Sequence, residues 1–154
     1  MATSQSTLWT TRIPTPVGDD TTSCVLALTS LTLGAAADIL KITPLPGKGI
    51  SITDCFMACS DMDTNATPTL DITLRITDGT TTKVLILAST VGQAGGVIRP
   101  TKVPASEPGI GYAFDTDDYW LELLINTASA TPAAGTLNIG LIMNGWYKTG
   151  SVTE

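Results

Sequence analysis

The stretch Thr69-Leu70-Asp71-Ile72-Thr73-Leu74-Arg75-Ile76-Thr77 (TLDITLRIT, residues 69–77) alternates strictly between apolar and polar side chains. Leu70, Ile72, Leu74 and Ile76 fall on one side of an extended chain, and Thr69, Asp71, Thr73, Arg75 and Thr77 on the other. Successive side chains of a strand point to opposite faces, so a period of two marks a half-buried β-strand. Asp78-Gly79 follows immediately, a dipeptide suited to a tight turn.

The same reading extends in both directions. Runs at residues 24–33, 39–45 and 50–59 precede the decisive strand, and runs at 83–90, 118–127 and 136–147 follow it. Residues 83–90 carry apolar side chains on both faces, which predicts a central strand. In the last run Leu137, Ile139, Leu141 and Met143 share one face. No 3.6-residue period lasts for a full helix, and Ala35-Ala36-Ala37 is too short to nucleate one. About eight strands with regularly spaced turn signals predict an all-β sandwich, jelly roll or barrel, with a jelly roll favoured.

Two segments fall outside this pattern. Residues 1–22 contain Arg12-Ile13-Pro14-Thr15-Pro16, whose spaced prolines favour extended backbone. They are expected to form an arm ahead of a single sandwich domain at 23–154, anchored by Trp9 and lying with Arg12 and Ile13 over a surface. The Gly- and Pro-rich residues 91–111 form a loop long enough to suggest function. Ile98 and Arg99 are its candidate contact residues. Trp120 and Trp146 share strand parity with the polar Glu122 and Asn144, which points to partial burial or a subunit contact.

Composition narrows the function. The chain has 154 residues, 43% of them hydrophobic, which suits one domain with a real core. Only 14% are charged, and roughly one residue in six is Thr, a β-former on half-buried strands. The net charge is −6 with eight Lys and Arg and no basic run, so a phosphate backbone has no cationic footprint to meet. No apolar run approaches the roughly 20 residues of a membrane span. Residues 1–11 lack a secretory apolar core, and synthesis in the cytoplasm is the expectation.

There is no histidine, which removes Ser-His-Asp and Cys-His catalysis and the commonest metal ligand. Cys24, Cys55 and Cys59 are an odd set, and Cys55 and Cys59 lie too far apart on one strand to bridge, so both read as small buried hydrophobes. Asp115, Asp117 and Asp118 are neighbours at a strand start and read as a turn. Asp61, Asp63 and Asn65 imitate the first half of a calcium loop, but Ala66 and Ile72 stand where such a loop needs Gly and Glu. Asp and Asn also make turns by hydrogen-bonding nearby backbone N–H groups. No cofactor, metal site or enzymatic activity is expected.

The segments DMDTNATPTLDITLRITDG (residues 61–79) and YWLELLINTASATPAAGTLNIGLIMNGWY (residues 119–147) resemble segments of tailed-bacteriophage virion proteins, the second resembling their final hairpin. Within that group the chain is similar to the capsid decoration, or cement, proteins. The resemblance implies a jelly-roll unit, often trimeric, bound outside the head and tying major capsid proteins together. It also implies a virion location on the capsid exterior. The alternative is a carbohydrate- or receptor-binding module of a tail or fibre, using Trp120, Trp146 and the Asp61–Asn65 turn. A neck or tail structural component shares the same fold.

Overall fold

The computed structural model describes residues 1–10, 13–16, 21–100 and 107–145. Nine strands occur in them: β1 (Thr3–Gln5), β2 (Thr21–Leu31), β3 (Ile39–Pro44), β4 (Ile50–Cys59), β5 (Asp71–Thr77), β6 (Thr82–Ser89), β7 (Gly96–Ile98), β8 (Trp120–Thr127) and β9 (Gly135–Gly145). A single 3-10 turn, Val91–Gln93, is the one helical element among the described residues. The fold is an all-β sandwich of a five-stranded sheet, order β1-β3-β8-β5-β6, and a four-stranded sheet, order β2-β9-β4-β7.

Almost every connection crosses from one sheet to the other. Only β5 and β6 are both consecutive and hydrogen-bonded, through the Asp78-Gly79 turn. There the Asp78 carboxylate accepts the N–H groups of Thr80 and Thr81 at 2.8 and 2.6 Å, and Gly79 supplies the positive φ of 92°.

Two sequence expectations are corrected. The 119–147 segment is not a hairpin: β8 pairs with β3 and β5, whereas β9 pairs with β2 and β4 in the opposite sheet. Its Ala-rich connection bridges the two layers instead of turning within one. Strand β6 is not central but lies at the edge of the five-stranded sheet. Its Val84, Leu85 and Ile86 are buried while Leu87 is 38% exposed, and residues 107–109 join its outer edge at Val84. Val84 donates to the Glu107 carbonyl at 2.9 Å and accepts from the Gly109 N–H at 2.8 Å, and only 4% of Val84 is exposed.

The core lies between the sheets and follows the alternation of the strands. On β5, Ile72, Leu74 and Ile76 sit opposite Ile125, Leu123 and Leu121 of β8. Leu137, Ile139, Leu141 and Met143 of β9 close the core from the other layer, all essentially buried. Cys55, Met57 and Cys59 of β4 join them. Burial pushes the Cys55 thiol up to about 12, helped by the nearby Asp54 charge, and Cys59 to about 11. Both therefore remain unreactive thiols packed as hydrophobes.

Candidate interaction surfaces

The outward face of the five-stranded sheet carries an ordered polar and aromatic row. Register places Lys41 of β3 and Arg75 of β5 on either side of Glu122 of β8. Glu122 is 2% exposed, so its charge must be compensated locally. One carboxylate oxygen accepts Arg75 Nε at 2.7 Å and Nη2 at 2.6 Å, and the other accepts Trp120 Nε1 at 2.6 Å. Lys41 Nζ stands 3.8 Å from the Trp120 ring centroid and 5.5 Å from that of Trp9. The two indoles meet edge to face, 6.4 Å apart at 70°. Strand β5 consequently has little exposed on its polar side: Thr73 and Thr77 are buried and Arg75 is half-buried.

Trp9 reaches this row because the chain ahead of it forms a strand. Strand β1 runs parallel to β3, and the bonds Ile39 N–H to Ala2 O at 2.8 Å and Ser6 N–H to Lys41 O at 2.7 Å fix its register. The Ser6 hydroxyl donates to the Ile42 carbonyl at 2.6 Å and accepts the Leu8 N–H at 3.0 Å. Asp38 accepts the N–H groups of Ala2 and Ala35, which hold its carboxyl below the usual range. Ile13 is 8% exposed and joins the core.

The outward face of the four-stranded sheet is different in kind. Gly140 lies between Val25 of β2 and Phe56 of β4, and the Phe56 ring occupies the space a Cβ at 140 would fill. Val25 is 63% exposed, Ile142 38% and Val97 70%. Ile98 pairs with Met57 at the β7 edge, and Arg99 Nη1 meets Asp54 Oδ2 at 2.7 Å. Both side chains of that ion pair are open to solvent, so it contributes well under about 1 kcal/mol.

Between the sheets lies a clasp that joins two crossings. Residues 60–70 lead from β4 to β5, and residues 128–134 lead from β8 to β9. Asp63, 1% exposed, accepts four backbone N–H groups: Thr69, Leu70 and Ala130 on one oxygen at 2.7, 3.1 and 3.0 Å, and Thr131 on the other at 2.9 Å. Burial pushes this carboxyl up, but the four donors outweigh burial and hold it far below the ordinary value. Asp61 accepts the Asp63 N–H at 3.0 Å and Asn65 accepts the Thr67 N–H at 2.9 Å, both as Asx turns. The oxygens that suggested half a calcium loop face hydrogen-bond donors, an environment that suits an anion and opposes a cation.

The other acidic group is likewise local. Asp117 accepts the Lys48 N–H at 2.7 Å. Asp115 accepts the Tyr119 hydroxyl at 3.1 Å, and Tyr119 also meets the Tyr112 hydroxyl at 3.0 Å. Burial, then these two hydrogen bonds, push the Tyr119 phenol up.

Of the residues singled out in the sequence, the fold brings Trp9 and Trp120 together and sets Ile98 and Arg99 on the opposite sheet. Arg12 and Trp146 lie outside the described residues. Sequence reasoning missed Lys41, Arg75 and Glu122. Their signal was available only as a charge of each sign at outward parity on neighbouring strands, and it needs the strand order to be read.

No protein-family model matches the chain, and no curated protein is similar to it in sequence. Two solved structures are similar over most of their length. A chain of the capsid of Ralstonia phage GP4 aligns with a TM-score of 0.77 and 27% identity, covering 96% of this chain and 100% of that one. A chain of the cyanophage Pam1 capsid asymmetric unit aligns with a TM-score of 0.66 and 22% identity, over 88% and 94% of the two chains. The second likeness concerns the fold alone.

Proposed function

We propose that this chain is a structural component of a bacteriophage virion, which binds the outside of the capsid shell and stabilises it by bridging capsid subunits. The observation that carries the reading is the full-length similarity to a chain of the GP4 capsid. The physical features are compatible with it. The surface is weakly charged and net negative, acceptable on the outside of a shell and unsuited to contact with packaged nucleic acid. The strand orders β2-β9-β4-β7 and β3-β8-β5-β6 interleave two Greek keys, and support a jelly roll with β1 added at one edge.

In this reading the unit is a trimer, and residues 1–22 and the 91–111 segment meet the major capsid protein or a neighbouring copy. Apolar area and added backbone pairing supply the affinity. A sugar-binding reading has no support from Trp120, whose ring face is taken by Lys41 and whose N–H is committed to Glu122.

The test is to separate heads from tails in the phage that encodes the chain and locate it by mass spectrometry. The expected result is the protein on heads at a stoichiometry fixed relative to the major capsid protein. Deleting residues 1–18 should lower head occupancy. Recovery in the tail fraction, or head binding unchanged by the deletion, overturns the capsid or the arm assignment respectively.

A further inference from the structure

Of the four sheet edges, three are short or partly covered. Strands β1 and β7 have three residues each, and residues 107–109 hydrogen-bond β6 at Val84. Strand β2 is the exception: it has 11 residues, pairs with β9 on one side, and among the described residues meets no strand on the other. A bare edge offers a row of unpaired N–H and C=O groups, and proteins ordinarily protect it with Lys, Pro, a charge or a β-bulge. The sequence Thr21-Thr22-Ser23-Cys24-Val25-Leu26-Ala27-Leu28-Thr29-Ser30-Leu31 contains none of the first three, and its one irregularity is confined to residues 28–31.

The strand is also symmetric in chemistry about Leu26. Residues equidistant from it match in kind: Val25 with Ala27, Cys24 with Leu28, Ser23 with Thr29, and Thr22 with Ser30. Apolar side chains meet apolar ones over residues 24–28, while the outermost pair, Thr21 and Leu31, does not match. An antiparallel pairing of two copies about a two-fold axis through Leu26 makes these matches, with each pair on one face because the partners share parity. Leu26 and Leu28 are on the buried side, Val25 and Ala27 on the exposed side. The ladder to β9 shifts between Leu28 and Leu31, and Ser30 has a φ of 53° there, so the regular pairing spans residues 24–28.

The matches about Leu26 favour a second copy over other occupants, since a strand whose chemistry is symmetric about its centre complements itself in antiparallel pairing. Each chain carries a net charge of −6, and like-charged chains repel wherever their acidic residues meet. Strand β2 is a continuous uncharged edge along which two copies can approach without that penalty. We infer that β2 is an isologous contact, through which two copies of this chain join their four-stranded sheets into one continuous eight-stranded sheet. If the chain is a trimer, this contact links one trimer to the next.

The experiment measures association of the purified chain by sedimentation velocity over a concentration series. Wild type should show a species that doubles in mass as concentration rises. Val25 and Ala27 are exposed and sit directly opposite one another across the two-fold, where Cβ atoms approach to about 5 Å. The double substitution V25K/A27K therefore faces Lys with Lys twice, and should weaken doubling roughly tenfold or more. The double substitution V25K/A27E faces Lys with Glu twice and should restore it, with circular dichroism checking that both variants fold. Absence of doubling in wild type, or doubling by V25K/A27K equal to wild type, overturns the contact. Failure of V25K/A27E to restore what V25K/A27K loses overturns the register about Leu26.

Discussion

The two outward faces of the sandwich use opposite chemistry. On the five-stranded sheet, Glu122, Arg75, Lys41, Trp120 and Trp9 hold one another in a network whose charges and indole N–H are committed. On the four-stranded sheet, Val25, Phe56 and Ile142 surround a glycine and leave apolar surface open. The first face is closed by its own chain, because β1 carries Trp9 onto it. The second keeps Val25, Val97 and Ile142 open to solvent, and it is the face that the contact inferred through β2 would extend.

Removing the clasp between the sheets uncouples the two faces most completely. In Asp63→Ala four N–H donors lose their acceptor at once, and two crossings come apart. The expected drop in melting temperature is the largest of any single substitution considered. The same residue gives a pH signature. Its folded carboxyl is held far below the unfolded value of about 3.9. Its contribution is therefore complete above that value and is lost as pH falls below about 4 toward the folded value, with a slope approaching one bound proton. Urea titrations across pH 2–6 should show this slope in wild type and a shallower one in Asp63→Asn.

Next in size is Glu122→Ala, which leaves Arg75 and the Trp120 N–H without their acceptor beneath the arm. The expected loss is about 3 kcal/mol, read as a shift of the urea midpoint. Arg75→Ala should cost at least as much, about 3 kcal/mol, because it leaves the buried Glu122 carboxylate without its cation, whereas the Arg75 left by Glu122→Ala is one-fifth open to solvent. A clearly smaller cost for Arg75→Ala would mean that the Glu122 carboxylate is less shielded than the register implies.

Both strands that dominate the core were legible from periodicity. TLDITLRIT and the Leu137, Ile139, Leu141, Met143 series give the inward faces directly, and β4 runs over the expected residues 50–59. Pairing was harder to read, since it depends on contacts far apart in sequence. The 119–147 segment has the length and composition of a hairpin, yet its strands separate into different layers, because both flanks are apolar enough to be central in a sheet. Strand β1 carries no apolar alternation at all; it is held by backbone bonds to β3 and by Asp38. Residues 83–90 looked central because they are apolar at both parities, yet Leu87 and Ala88 are exposed, which an edge strand allows. The clasp was visible as turn residues, while the role of Asp63 needed the 128–134 crossing to be placed beside it.

The four-stranded face is sharpened by Gly140. A Cβ there would overlap the Phe56 ring, so the ring must move. Gly140→Val should therefore cost about 2 kcal/mol through strain. In a Phe56→Ala background the same substitution should cost much less, and a double-mutant cycle gives the coupling. Additive costs would mean that β9 itself, and not Phe56, dictates the glycine.

The smallest effect tests whether the first face is really closed by the arm. Trp9→Ala removes the edge contact to Trp120 and one of the two rings beside Lys41, while the β1 ladder stays intact. Cation–π and aromatic contacts of this kind are worth about 1 kcal/mol at a partly exposed site, so global stability should fall by about that much or less. Local opening of residues 1–10 should rise by roughly fivefold, since about 1 kcal/mol is a large share of what holds a three-residue edge strand in place. Limited proteolysis reads that opening directly, and Trp9→Phe should keep most of the protection. If cleavage within residues 1–10 is unchanged by Trp9→Ala, the Ala2, Ser6 and Asp38 hydrogen bonds alone secure the arm, and the indole pair is a consequence of docking instead of its cause.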